Sequence, residues 1–452
     1  MGIGNAFTTA LGGLTAYAAQ IGYISDNLAN TSTVGYKRVD ASFQSYVTAS
    51  TSSYHEPGGV TIQPVYRNST AGQISTSSVG TNFAVSSGEG LIPVEMPAST
   101  TAGVANFSSS TQCYTRAGDF SVDSNGYLVN SAGYYLMGLK ETTAFSSPAG
   151  STIPGTASLG SLTAVRIDPT VYKSMPGTAS SIIDFNGNFP ASMTASTTVP
   201  DTSAQITSQV QFYDSLGTVQ TMEITYQKTA SGTWDVESAT LPSDSNATVS
   251  FPGGTQVIFD SNGALSSITN ASSTVSSGDL GIDFSISGLS DGATDSAAQT
   301  VSLDFGTTST GTTQYSGTTL EMRNTTDTTG KAAGEFQSAS VDSDGYVIFS
   351  YSNGQQAKPY RVPLVTFSDP DKLTRVSGST FAANATESGS PVAQWAGEGD
   401  AGTISASSLE ASNVDIADEL TSMIVAQRAY SANGKVITTA DEMIKETLSL
   451  KQ

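Results

Sequence analysis

The sequence holds one cysteine and one histidine in 452 residues. A single cysteine, Cys113, allows no intramolecular disulfide and no cysteine-based zinc site, which needs about four ligands. A single histidine, His55, excludes histidine clusters. It would make any Ser-His-Asp triad depend on one residue beside the loop-forming run Pro57-Gly58-Gly59. Charge is scarce as well. Asp, Glu, Lys and Arg make up 13% of the chain, against about 25% in ordinary soluble domains. What charge there is leans one way, with 39 acidic against 18 basic residues and a net charge of −21. That balance opposes the phosphate neutralisation on which nucleic-acid binding rests. No run of about 18 apolar residues occurs, so no membrane insertion is expected. The first cation is Lys37, so a cleaved leader with a basic start is not expected, and Ala6 stands where a myristoylation signal needs Ser or Thr.

Small neutral residues (Ser, Thr, Ala, Gly and Asn) fill the gap, and they are not evenly arranged. At the N-terminus Ile3, Phe7, Ala10, Leu14, Tyr17, Ile21, Ile24 and Leu28 follow in steps of four and three, a heptad seam on a long helix. At the C-terminus Leu409, Ile416, Leu420, Met423, Tyr430, Ile437, Ile444 and Leu448 lie on one 3.5-residue stripe, interrupted by Gln427, Gly434 and Asp441. Ser412 or Asn413 can cap that helix, with Asp415, Asp418 and Glu419 at its positive end. Two seams at opposite chain ends predict a coiled coil between them. The first 36 residues carry one charge, Asp26, and Gly12, Gly13 and Gly22 each weaken the helix by about 1 kcal/mol relative to Ala. Such a helix is marginal alone and is expected to be enclosed on several sides.

Between the ends the pattern turns to β. Phe83–Val85, Val210–Tyr213, Met222–Tyr226, Val257–Phe259, Val301–Phe305 and Tyr346–Tyr351 read as strands separated by turn signals. Ser121-Val-Asp-Ser-Asn-Gly-Tyr-Leu128 echoes Ser340-Val-Asp-Ser-Asp-Gly-Tyr-Val347, with a looser copy at Phe259–Leu265. Asp at the turn start and Gly three residues on predict tight hairpins; the further carboxylates of a calcium loop are missing. From Ser174 to Met322 there are fourteen acidic residues and one basic, Lys228. The fold class expected is mixed, mainly β with long terminal α-helices, in a discontinuous layered architecture. Residues 1–47 and 409–452 form the terminal coiled-coil pair, 48–147 and 329–408 a split inner β domain, and 148–328 an inserted outer β domain. Linker-like stretches at 141–160 and 306–330 mark the crossings.

Chemical sites are weak. Gly288-Leu-Ser-Asp-Gly292 matches a nucleophile elbow around Ser290, but no helix pattern follows and no His partner is at hand, so a turn is expected. His55 reads as a surface loop residue and Cys113 as a buried, inert side chain in a strand. The triplets at Asn68, Asn246, Asn270 and Asn384 arise readily in this composition. No phosphate loop, metal cluster or catalytic carboxylate pair is present, so neither a cofactor nor an enzymatic activity is expected.

Three longer motifs carry a resemblance. Ser25-Asp-Asn-Leu-Ala-Asn-Thr-Ser-Thr-Val-Gly-Tyr-Lys37 resembles the N-terminal signature of the flagellar rod and hook axial protein family, with Asn27, Asn30, Gly35, Tyr36 and Lys37 as its turn motif. Tyr114-Thr-Arg-Ala-Gly-Asp-Phe120, followed by Gly126-Tyr-Leu-Val-Asn130, resembles the family's inner-domain hairpin, which singles out Arg116, Gly118, Asp119, Phe120 and Gly126. Leu409-Glu-Ala-Ser-Asn-Val-Asp-Ile416 and Met423-Ile-Val-Ala-Gln-Arg-Ala-Tyr-Ser-Ala-Asn433 resemble its C-terminal signature, which adds Asn413 and Arg428 to the stripe. In the middle, Phe212-Tyr-Asp-Ser-Leu-Gly217 and Val219 to Tyr226, with Lys228 and Trp234, are similar to the outer domain of the family's hook members.

The resemblance implies a structural subunit that polymerises into a curved hollow tube outside the cell and passes motor torque from rod to filament as a universal joint. It implies polymerisation through the two terminal helices, Ile3 to Leu28 and Leu409 to Leu448. Implied partners are other copies of the chain, the distal rod protein, the hook-filament junction protein, the hook cap and the flagellar type III export apparatus. The implied location is the extracellular flagellar hook. Distal rod and hook-filament junction proteins share the ends and are the nearest alternatives, and an extracellular coiled-coil adhesin is a more distant one.

Overall fold

The computed structural model describes residues 3–46, 59–101, 104–107, 112–140, 157–168, 171–270, 274–275, 280–291, 298–308, 310–377 and 379–449. His55 and the first linker-like stretch up to residue 156 lie outside them. The chain divides into two compact units, one of residues 1–173, 337–350 and 356–452, the other of 174–336 and 351–355.

In the first unit, helix α1 spans Ile3–Ala29 and helix α2 spans Ile416–Ser449. Helix α1 stops where Asn30 turns back and donates both its backbone N–H and its Nδ2 to the carbonyl of Asp26, at 3.2 and 2.8 Å. Asp415, rather than Ser412 or Asn413, caps α2. Its Oδ1 accepts the N–H groups of Ala417 (2.8 Å) and Asp418 (3.2 Å), as free amides at a helix start require. Leu409 is not helical either; it lies in strand Ser408–Glu410, which pairs with Ile74–Thr76. The apolar spacing at 409 therefore belonged to a strand, and the helical stripe begins at Ile416.

The two helices pack antiparallel. Asn27 Nδ2 donates to Glu419 at 3.2 Å, and two heptads away on each helix Gly13 faces the amide of Asn433. A hairpin of Val39–Ser45 with Val60–Tyr66 covers another side of α1, with Tyr17 and Phe43 rings 5.3 Å apart and the backbone of Val60 over Gly12.

The sheet of this unit runs in the order Tyr346–Tyr351, Gln356–Arg361, Tyr135–Lys140, Ile92–Glu95, Gln112–Thr115, Thr380–Ala382, Thr374–Ser377. Its pairings are antiparallel, with Tyr135 opposite Glu95, Val94 opposite Cys113 and Tyr114 opposite Phe381. Leu91, Tyr114, Val365, Phe367, Leu373 and Phe381 form one core cluster. Phe83–Val85 pairs with Ile404–Ala406, so early and late segments of the chain are neighbours.

The second unit packs two sheets over one core. One sheet is a meander from Gln205–Tyr213 through Val219–Ala230, Thr233–Thr240, Gln256–Phe259 and Leu265–Thr269 to Thr274–Val275. The other centres on Ile182–Pro190, flanked by Gln299–Asp304 and Thr313–Tyr315. Ile206, Ser208, Val210 and Phe212 are buried in alternation with exposed neighbours, as one-sided burial of a strand dictates. The ring of Phe189 meets Tyr226, Trp234 and Phe259 at 5.2 to 5.4 Å. The stretch 306–330 is not a linker: Glu321–Asp327 pairs along Ile182–Pro190. Its Thr-rich, β-branched composition suits a strand as well as a loop.

One hairpin turn recurs. At Asp123, Asn130, Asp214, Asp260 and Asp342 the side-chain Oδ1 accepts the N–H groups two and four residues on, at 2.8 to 3.1 Å. The glycine three residues on has φ between 79° and 85° each time. Only a residue without Cβ takes that conformation freely. Each of these side chains spends its Oδ1 on its own backbone. Ser290 is likewise part of a stitched loop: its hydroxyl donates to Asp244 (2.7 Å) and its N–H to the same carboxylate.

Candidate assembly junction

The three family-like motifs meet at one place in the first unit. Gly35 has φ 64°, and a Cβ there would fall 2.4 Å from the backbone nitrogen of Ala117, so the Arg116-Ala117 peptide lies directly on it. This close approach aims Lys37 inward. The Lys37 ammonium is fully buried, 2.5 Å from Glu410 Oε1, and donates also to the Thr70 carbonyl at 2.6 Å. Glu410 is equally buried; it accepts the Gly72 N–H at 2.8 Å and faces Arg116 Nη1 at 3.5 Å. Arg116 Nη2 donates to the Gly88 carbonyl. Burial lowers the pKa of Lys37, and Glu410 only partly opposes this; burial lowers that of Arg116 as well. Two cations around one carboxylate, each with a carbonyl acceptor, keep the buried charges paired.

Asparagines stitch the same region. The amide of Asn27 forms both bonds that a paired strand would give Val39: Oδ1 accepts its N–H and Nδ2 donates to its carbonyl, each at 2.9 Å. Asn413 Oδ1 accepts the Arg38 N–H (2.7 Å), and its Nδ2 reaches the carbonyls of Arg67 and Thr70. Tyr36 Oη donates to Asn27 Oδ1, and the Arg375 guanidinium lies over the rings of Tyr36 and Tyr66 while donating to the Lys37 carbonyl. Glu419 closes the junction from α2. It is 5% exposed, with Arg38 Nε at 3.9 Å, and burial raises its pKa.

Asn27, Tyr36, Lys37, Arg116 and Asn413 are thus brought together from sequence-distant motifs. Asn30 ends α1, and Thr33 Oγ1 donates to its side chain. Gly118 lies against the Phe83 backbone, whose N–H it accepts at 3.1 Å; Phe120 stacks on Phe83 at 5.6 Å; Asp119 accepts the Ser131 N–H; Gly126 is a hairpin glycine. Glu410, Arg375 and Asn433 were not singled out from sequence, and Glu419 was read only as an acid at the start of the helix. Glu410 and Asp415 are the two acids of their motif, beside two motifs with one cation each, and Glu410 is the one set in a strand.

The helix faces divide differently from the stripes. On α1, Ala10 and Ile24 are buried, Leu14, Tyr17, Ile21 and Leu28 half-buried, and Phe7 exposed; Ile3 lies in the first turn. The line α2 turns to α1 is Glu419, Ala426, Asn433, Ala440, flanked by half-buried Met423 and Ile437. This line is displaced by one residue from the large apolar stripe. Ile416, Leu420, Tyr430, Ile444 and Leu448 stay 37 to 62% exposed, and Ile424, Val425, Val436 and Met443 join them; Arg428 is exposed too.

Two long helices closed onto a split β unit by a buried charge cluster, and showing a large apolar surface, define a subunit of an assembly. Comparison with known proteins gives the kind. Four family models match in order: Flagella basal body rod protein at residues 7–37, Flagellar hook protein FlgE/F/G D1 domain at 87–175, Flagellar basal body protein FlaE D2 domain at 183–346, and Flagellar basal body rod FlgEFG protein C-terminal at 405–450. The flagellar hook protein FlgE of Brucella abortus is 33% identical over 98% of this chain and 98% of its own. That of Rhizobium meliloti is 30% identical over 98% of each chain, and that of Salmonella typhimurium 29% identical over 98% of this chain and all of its own. The solved Helicobacter pylori flagellar hook protein FlgE2 aligns with 73% of this chain and 98% of its own at TM-score 0.38 and 13% identity. The chain belongs to the flagellar hook protein family, a family of structural proteins. Among the described residues no helix is long and apolar enough to cross a membrane.

Proposed function

We propose that the chain is the hook subunit, polymerising through its terminal helices into a curved hollow tube that acts as a universal joint between rod and filament. One observation carries this: α2 turns small and polar residues to α1 and leaves most of its large apolar ones outside. A lone subunit gains nothing from that surface. Fully burying each such side chain is worth about 1.5–3 kcal/mol, and every added copy repeats the contact. The contact joins different faces of successive copies, which yields an open polymer.

The domain assignment belongs to the same proposal, with 1–47 and 409–452 as the inner layer of the tube and 148–328 as the outer one. The acidic excess of the inserted region supports wet, sliding contacts during bending. The proposed partners are the distal rod protein, the hook-filament junction protein, the hook cap and the type III export apparatus. No catalysis is proposed. Electron microscopy of the purified full-length chain tests the reading. Tubes from wild type and none from a Leu420→Ser/Ile444→Ser variant support it; equal assembly by both would reject it.

A further inference from the structure

Helix α2 carries cations whose placement the single subunit does not explain. Arg428 and Lys435 are exposed, and they lie one heptad apart on the side away from α1. Neither has an acid three or four residues away, where a solvated helix normally supplies one. Lys445 has such a partner, Asp441 at 2.6 Å. The acids of the helix pair sit toward its ends, with Asp441, Glu442 and Glu446 near the C-terminus of α2. Asp415 and Asp418 open α2, and Asp26, the only charge in α1, lies beside Asn27, which touches Glu419. All three are exposed at one end of the helix pair.

Resting on the polymer reading, we propose that Arg428 and Lys435 set the axial register between copies by meeting the Asp26–Asp415–Asp418 end of the next copy's helix pair. From Asp415 to Arg428 and from Asp418 to Lys435 is about 20 to 25 Å along the helix at 1.5 Å per residue. A neighbour shifted by that amount along the axis places acid beside cation while both exposed apolar flanks remain in contact. The occupant is a second copy because the complementary charges lie on the same helix pair. An axially shifted pair leaves one acidic and one cationic end free, so the contact repeats without closing. The apolar surface supplies affinity without fixing position, since a one-heptad slip keeps it buried. Arg428 and Lys435 are the only charges of α2 between Glu419 and Asp441, so a slip changes which charges meet.

The critical concentration for polymerisation of the full-length chain, read by sedimentation at low and high salt, tests this. Arg428→Glu/Lys435→Glu is expected to raise it about tenfold at low salt and less at high salt. Adding Asp26→Lys/Asp418→Lys to that variant is expected to bring it back to within about threefold of wild type, with the fold checked by circular dichroism. An unchanged critical concentration in the first variant overturns the proposal. So does a fully folded fourfold variant with no recovery, or a closed dimer as the wild-type product. Loss of polymers in Leu420→Ser/Ile444→Ser together with a silent charge reversal would refute the register alone. Normal polymers from the Leu420→Ser/Ile444→Ser variant would refute the helix-face reading beneath it.

Discussion

Asn433 of α2 lies over Gly13 of α1 so closely that a Cβ on residue 13 would stand 2.9 Å from its Nδ2. The amide is held by donation to the Ala429 carbonyl at 3.1 Å. Gly13→Ala therefore sets a helix-propensity gain of about 1 kcal/mol against displacement of one side-chain tip, and thermal unfolding of the helix pair is expected to change little. Gly13→Val has no such balance and should destabilise by about 1–3 kcal/mol. Asn433→Ala in the Gly13→Val background should recover part of the loss, which circular dichroism melting would register.

The buried cluster gives an ordered series. Lys37→Met leaves Glu410 with Arg116 and the Gly72 amide, while Glu410→Ala leaves two buried cations without a carboxylate. Breaking a buried pair costs about 3–5 kcal/mol, so both variants should be strongly destabilised, and Glu410→Ala the more. Urea unfolding that ranks Lys37→Met as the worse would contradict the arrangement.

Glu419 makes docking of α2 pH-dependent. Its folded pKa stands above the ordinary carboxylate value of 4.5 because burial disfavours the charge, and Arg38 at 3.9 Å, opposed by Asp40 and Asp418, does not restore it. A raised folded value means that its stabilising contribution is complete below pH 4.5 and disappears as pH rises through the folded pKa. Glu419→Gln is neutral throughout. It should exceed wild type in stability at pH 7, and the gap should narrow as pH falls toward 4.5. A gap that is constant with pH in paired melting curves would refute this.

The recurring turn predicts equal treatment of its copies. Asp123→Ala frees the N–H groups of Asn125 and Tyr127, a loss of about 1 kcal/mol. Gly126→Ala meets the Ile167 carbonyl at 2.3 Å as well as an unfavourable φ, and should cost more than the aspartate does. Chemical denaturation of the two variants compares them directly.

Both terminal helices, the mixed mainly-β class and three of the five turns were legible, because each rests on local spacing: heptad steps at Phe7 to Leu28, and Asp with Gly three residues on. Asn130-Ser-Ala-Gly133 escaped because Asn replaces Asp, although its Oδ1 does the same work. The face of α2 was read one residue off. Periodicity locates the largest apolar side chains, whereas antiparallel packing against a helix rich in Gly and Ala here selects Glu419, Ala426, Asn433 and Ala440. Leu409 fell on the stripe by arithmetic alone. The Lys37–Glu410–Arg116 cluster was illegible as a unit, since Glu410 lies 373 and 294 residues from its two cations and nothing local reports a contact.

The pairing of Ile74–Thr76 with Ser408–Glu410, and of Phe83–Val85 with Ile404–Ala406, has a temporal side. Strands in the first fifth of the chain find their partners only beyond residue 403 of 452. A chain emerging N-terminus first from a ribosome or a narrow conduit holds these edges open, and Lys37 without its counter-charge, until residue 410 is through. Completion of the first unit is thereby tied to delivery of the whole polypeptide, and a truncated chain is left without the piece that would let it set.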